Sequence, residues 1–244
     1  MIRARRRAYV VPVAMLIIAA AAIALGIPRN QPGPLPPRPT AERPVLLLLT
    51  SLPLVFPEDF SLQGGGSPAL KALQTRYRVV PISVTDPPEL ARGRLLLMAH
   101  PLAQPAEDLV ALDAWVRRGG RVLLLAGPLL EWPSARPLGD PLRPPPMFMD
   151  TGLLAHWGLR LDAPGERGAK SARLGGYPVE TLSPGLLSGG CDISSDRLVA
   201  HCRIGNGQAT VVADADLLDL GQLGPGAKHN LDGLLAELAR LERR

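Results

Sequence analysis

Leu95 to Pro128 reads LLLMAHPLAQPAEDLVALDAWVRRGGRVLLLAGP. Arg94 to Ala99 is a short, unbroken apolar run, the pattern of a strand buried on both faces. Pro105 then opens a helix. Glu107 and Asp108 suit the positive end of its dipole, Arg117 and Arg118 suit the negative end, and Gly119-Gly120 stops it. Leu109, Leu112 and Val116 share one face, with Trp115 beside them. Arg121 to Leu125 (RVLLL) returns as a second apolar strand. Two buried strands joined by an amphipathic helix form a parallel crossover, so a parallel sheet is expected.

Working outward, Val45 to Thr50 (VLLLLT) is another short apolar run. After a loop containing Gly64 to Gly66, Ser67 and Pro68 supply an N-cap and a first helical position for a helix reaching about Arg76. Arg78 to Ser83 reads as the next strand, with its internal Pro81 marking an edge or a bulge. Downstream, Gly127 to Asp150 holds seven prolines and reads as a long irregular excursion. It leaves from the C-terminal end of a strand, where open α/β sheets build ligand sites. Thr151 to Trp157 suggests a short helix. Arg197 to Ile204 and Gln208 to Ala213, joined by Gly205-Asn206-Gly207, suggest a hairpin. Asn230 to Leu241 is amphipathic, with Leu231, Leu234, Leu235, Leu238 and Leu241 on one stripe. The expected fold is α/β: a doubly wound, mostly parallel sheet with a late β-hairpin, preceded by one N-terminal transmembrane helix.

That helix is expected over Ala8 to Ile27, twenty residues without a formal charge, enough at ~1.5 Å per residue to cross a hydrocarbon core. Four arginines precede it, which keeps residues 1–7 as a cytoplasmic basic tail and places the rest outside. A cleaved signal peptide is the competing reading, although such apolar regions usually run ~7 to 15 residues. Residues 28–44 carry seven prolines and read as a stiff linker, leaving 45–244 as an exported domain.

Of the 244 residues, 46% are hydrophobic, which is ample for a core and excludes disorder throughout; two cysteines are too few for a disulfide scaffold. The first 43 residues, with seven arginines against Glu42, carry +6, and the rest, with 20 basic and 21 acidic groups, carry −1, which together give the net charge of +5. That balance argues against a nucleic-acid surface.

The order of phrases resembles a known family. Leu95 to Pro128, then LLAHWGLRL (Leu153 to Leu161), then GNGQATVVADADLL (Gly205 to Leu218), followed by Asn230 at the last helix, is similar to the auxiliary domains of gliding-motility-type ABC transport systems. These have the class I glutamine-amidotransferase-like fold, which resembles the flavodoxin-like arrangement. The resemblance covers most of residues 45 to 241 and implies a binding or assembly domain outside the cytoplasmic membrane, with ABC permease or ATPase subunits as partners and no established reaction. Catalytic amidotransferase relatives need a cysteine in a strand-to-helix elbow. None follows the apolar strands here, so no thiol mechanism is expected.

The loops after the strands define a recognition rim: Ser51, His100, Pro101, Gly127 and Pro128, together with Asp214 and Asp216. No cofactor is expected. Cys191 and Cys202, with ten residues between them, could form a disulfide, remain two structural thiols, or supply a nucleophile beside His201. Asp214, Asp216 and His229 could ligate a metal in an exported hydrolase, or the carboxylates could accept backbone donors while Asn230 caps the last helix. No Gly-x-Ser-x-Gly elbow or phosphate-loop spacing is present. The leading expectation is a membrane-anchored, non-catalytic accessory domain. The alternatives are the metal-dependent hydrolase and a cell-envelope scaffold.

Overall fold

The computed structural model describes residues 32–56, 58 and 66–243. The expected span at 8–27 and most of the Gly64–Gly66 loop lie outside them. Among the described residues no helix is long and apolar enough to cross a membrane.

Four apolar runs form the parallel centre of the molecule: β1 (Val45–Thr50), β2 (Arg78–Pro81), β3 (Leu95–Ala99) and β4 (Arg121–Leu125). β5 (Leu159–Asp162), β6 (Ala169–Leu174), β7 (Tyr177–Leu182), β8 (Leu186–Gly189), β9 (Asp192–Ile193), β10 (Val199–Ile204) and β11 (Gly207–Val212) follow. Seven strands make one sheet in the order β2-β1-β3-β4-β11-β10-β9. β11 joins β4 in parallel, whereas β10 and β9 are antiparallel. Every residue of β3 is buried, which explains its uninterrupted apolar composition. β2 is an edge strand, where the missing donor of Pro81 is tolerated.

The helices are α1 (Pro68–Gln74), α2 (Pro87–Leu90), α3 (Ala106–Arg117), α4 (Leu153–His156), α5 (Leu220–Leu223) and α6 (Asn230–Arg243). Ser67 caps α1 by accepting from the Leu70 amide at 3.1 Å. α3 ends in a Schellman turn: the Gly120 amide donates to the Trp115 carbonyl and the Gly119 amide to that of Val116, at 3.0 and 2.8 Å. Gly119 has φ +112°, and a Cβ on Gly120 would lie 2.2 Å from the Trp115 indole, so this turn requires both glycines. Leu234, Leu235, Leu238 and Leu241 of α6 enter the core.

The expected doubly wound sheet of the amidotransferase-like or flavodoxin-like kind is corrected to a mixed α/β fold. The crossover from β4 to β11 contains the single-turn helix α4 and two antiparallel ribbons, β5-β8 and β6-β7, where a doubly wound fold would carry a covering helix. Composition explains this. β6 (AKSARL) and β7 (YPVETL) alternate buried or half-buried side chains with more exposed ones, and they lack the continuous apolar run of a central parallel strand. Their turn, Gly175-Gly176, has positive φ at both residues and lies against α6. Asn230 also departs from its expected role. Its Oδ1 accepts from the Glu180 amide, and its Nδ2 donates to the carbonyls of Glu180 and Leu217, so it pins β7 to the start of α6.

Pro34–Arg244 form one compact unit that includes the end of the proline-rich segment. The Arg38 amide donates to the Thr75 carbonyl, and the Arg76 guanidinium donates to that of Pro36. Arg38 forms a two-pronged ion pair with Glu242, at 2.8 and 2.9 Å, while facing the Tyr77 ring. The chain therefore reaches the sheet at the end where its parallel strands begin.

Candidate functional site

The loops after β1, β3, β4 and β11 converge at the opposite end of the sheet because these strands are parallel. Ser51 Oγ donates to the His100 carbonyl, and Thr50 Oγ1 donates to the Ala99 carbonyl at 2.8 Å, joining the β1 and β3 loops. His100 is fully buried with φ +47°. Its Nε2 lies 2.9 Å from the Pro145 carbonyl and donates to it, leaving Nδ1 as the unprotonated nitrogen, buried without a partner. Burial lowers the imidazole pKa, against a smaller opposing effect of that carbonyl.

The excursion from Gly127 to Asp150 closes over these loop ends. The Phe148 amide donates to the Gly127 carbonyl at 2.7 Å, and the Leu130 amide to that of Pro146 at 2.8 Å. Glu58, after β1, accepts from Ser134 Oγ at 2.6 Å and the Ala135 amide at 3.1 Å. Pro101 and Gly127 are buried, and Pro128 is half-buried.

Asp214 and Asp216 follow β11 and are both buried. Asp214 accepts from the Leu182 amide at 2.9 Å and the Leu217 amide at 3.0 Å. Asp216 accepts from the Glu131 amide, at 3.2 and 3.1 Å to its two oxygens. Glu131 in turn accepts from Ser183 Oγ, and Ser183 has φ +48°. Burial, then the charge of Asp216, raises Asp214 well above the usual carboxylate range. Burial is also the main cause that pushes Asp216 up to about 7, with Glu131 and Asp219 adding to it against the lowering effect of the Glu131 amide. The carboxylates bind together the excursion, the end of β7 and the turn after β11.

His229 contacts Asp232, 3.1 Å from Nδ1 to Oδ2, and its ring lies near that of Tyr177. Asp214, Asp216 and His229 form no metal-holding group, and no such group of three or more His, Cys, Asp or Glu occurs among the described residues. The sulfurs of Cys191 and Cys202 are bonded to each other, which fastens the start of β9 to β10.

The sequence reading missed what the rim leaves outside. Phe56, Leu102, Leu138, Leu142, Met147 and Met149 are all exposed, with Leu138 at 82% and Phe56 at 79%. They lie on the loops after β1, β3 and β4. Their only sequence signal is apolar residues scattered without periodicity through a proline-rich stretch, which no helix or strand template detects.

No family model and no curated protein matches the chain. Among solved structures, it is similar to the exo-beta-1,4-mannosidase Op5Man5 from Opitutaceae bacterium strain TAV5, at 15% identity and a TM-score of 0.50, over 82% of this chain and 36% of that one. It thus spans about a third of the mannosidase. It is also similar to the mmIFT52 N-terminal domain, at 14% identity and a TM-score of 0.50, over 81% of this chain and 96% of that one. A cytoplasmic protein from Salmonella typhimurium is similar at 12% identity and a TM-score of 0.48, over 81% and 98%. At these identities what the mannosidase and the mmIFT52 domain share with this chain is the fold alone, a mixed α/β arrangement that replaces the class expected from the sequence.

Proposed function

We propose that this α/β unit is a non-catalytic accessory or binding domain, held outside the cytoplasmic membrane beside the permease or ATPase-bearing complex of an ABC-type transport system. The observation that carries the binding role is the set of exposed apolar side chains on the loops after β1, β3 and β4. Exposed large apolar residues gathered at one end of a fold favour a protein partner. The polar residues beneath them are committed inward: Asp214 and Asp216 to backbone amides, His100 to Pro145. The Cys191–Cys202 bond supports an oxidising, exported setting. The transport partner rests on the family resemblance alone.

Photocrosslinking tests the reading. A photoreactive residue is placed at Leu142 or Phe56 of the full chain in intact cells, and crosslinked products are identified by mass spectrometry. Adducts with a transporter subunit are expected from both positions and not from exposed Arg160 in β5. Absence of a transporter adduct from both rim positions, or equal adducts from position 160, overturns the proposal.

A further inference from the structure

The other end of the sheet holds a cavity of about 220 Å³, lined by Leu90, Ala91, Gly93, Arg94, Trp115, Arg118, Gly119 and Gly120. It lies between the C-terminal ends of α2 and α3, beneath the starts of β3 and β4. The lining includes two arginines and no carboxylate. The neighbouring acid Glu89 is paired with Arg92, and Asp113 is paired with Arg117 at 2.7 Å. Among the described residues the side chains of Arg94 and Arg118 have no hydrogen bond or ion pair, and both residues are exposed.

We infer that this cavity binds a small oxyanion, a carboxylate or phosphate attached to a compact apolar group. Guanidinium groups present planar, forked donors that match a carboxylate or phosphate, and two of them border one hollow, where they oppose the negative C-terminal end of α3 that an anion would also meet. Ala91 and the edge of the mostly buried Trp115 indole give the hollow a small apolar area beside its polar one. The hollow stays open at Gly119, where an added Cβ would meet nothing within 4 Å. The volume is below the several hundred Å³ of a drug-sized pocket, which limits the ligand to about the size of a benzoate or a short-chain phosphate ester. The inference stands apart from the apolar rim, since the two sites occupy opposite ends of the strands.

The test is NMR on the detergent-extracted full chain, following the indole N–H signal assigned to Trp115 through Trp115→Phe, during titration with inorganic phosphate, benzoate and phenyl phosphate. Saturable shifts of that signal are expected, with phenyl phosphate or benzoate binding at least tenfold more tightly than inorganic phosphate. Arg94→Gln with Arg118→Gln should weaken binding by tenfold or more without moving the melting temperature, whereas Arg92→Gln should leave it unchanged. Stronger binding of phosphate than of either aromatic probe would assign the site to a bare anion and overturn the apolar component. No saturable shift with any probe, or equal binding by the double variant, overturns the inference.

Discussion

The two ends of the central sheet use polar residues in opposite ways. Where the parallel strands end, Ser51, His100, Asp214 and Asp216 are all engaged by neighbouring backbone, and a proline-rich excursion covers them. Where the strands begin, Arg94 and Arg118 border an open hollow, with no side-chain partner among the described residues. The difference teaches that one sheet can commit its polar residues to backbone partners at one end and leave them facing solvent at the other. A carboxyl group with its oxygens on amides serves as an internal clamp, and the large side chains exposed on the loops above it are apolar.

Breaking the clamp should have the largest effect. Asp214→Ala leaves the amides of half-buried Leu182 and buried Leu217 without an acceptor and should cost about 4 kcal/mol, read as a fall in the urea midpoint. Removing the covalent tie with Cys191→Ser and Cys202→Ser should cost about 2 to 3 kcal/mol in the same assay.

Next in size is the pH dependence at Asp216. Its folded pKa of about 7 lies above the ordinary 3.8, so the folded state holds the proton more tightly. The stability this group contributes is complete below the ordinary value and is lost as pH rises towards the folded one, and Asp214 acts in the same direction. Asp216→Asn retains an acceptor for the Glu131 amide and should flatten this decline by about 1 to 2 kcal/mol in melts across that range. The smallest change belongs to the exposed end. Phe56→Ser, Leu138→Ser, Leu142→Ser and Met147→Ser should each shift stability by no more than about 0.5 kcal/mol.

The same contrast explains what the sequence made legible. β1, β3 and β4 are buried on both faces and so appear as apolar runs. The boundaries of α3 follow from Glu107 and Asp108 at one end and Gly119-Gly120 at the other. β6 and β7 gave weaker signals: β6 turns Ala169, Ser171 and Arg173 towards solvent, and the pair is held by the approach of Gly175 to α6, a contact between residues far apart in sequence. That Asp214 and Asp216 would take backbone donors was readable as one alternative from their place in a turn. That the donors would be Leu182 and Glu131 was not, because those partners arrive from other loops. His229 looked available in sequence, yet Asp232 one helical turn away holds it.

The measurement closest to the central claim compares three full-length proteins in the quantitative capture of transporter subunits from detergent-solubilised membranes: wild type, the four-serine rim variant, and Asp216→Asn. The account predicts that the rim variant loses more than tenfold of the captured permease or ATPase while its melting temperature holds, and that Asp216→Asn captures as wild type does. Undiminished capture by the rim variant, or loss of capture by a fully folded Asp216→Asn, would contradict it.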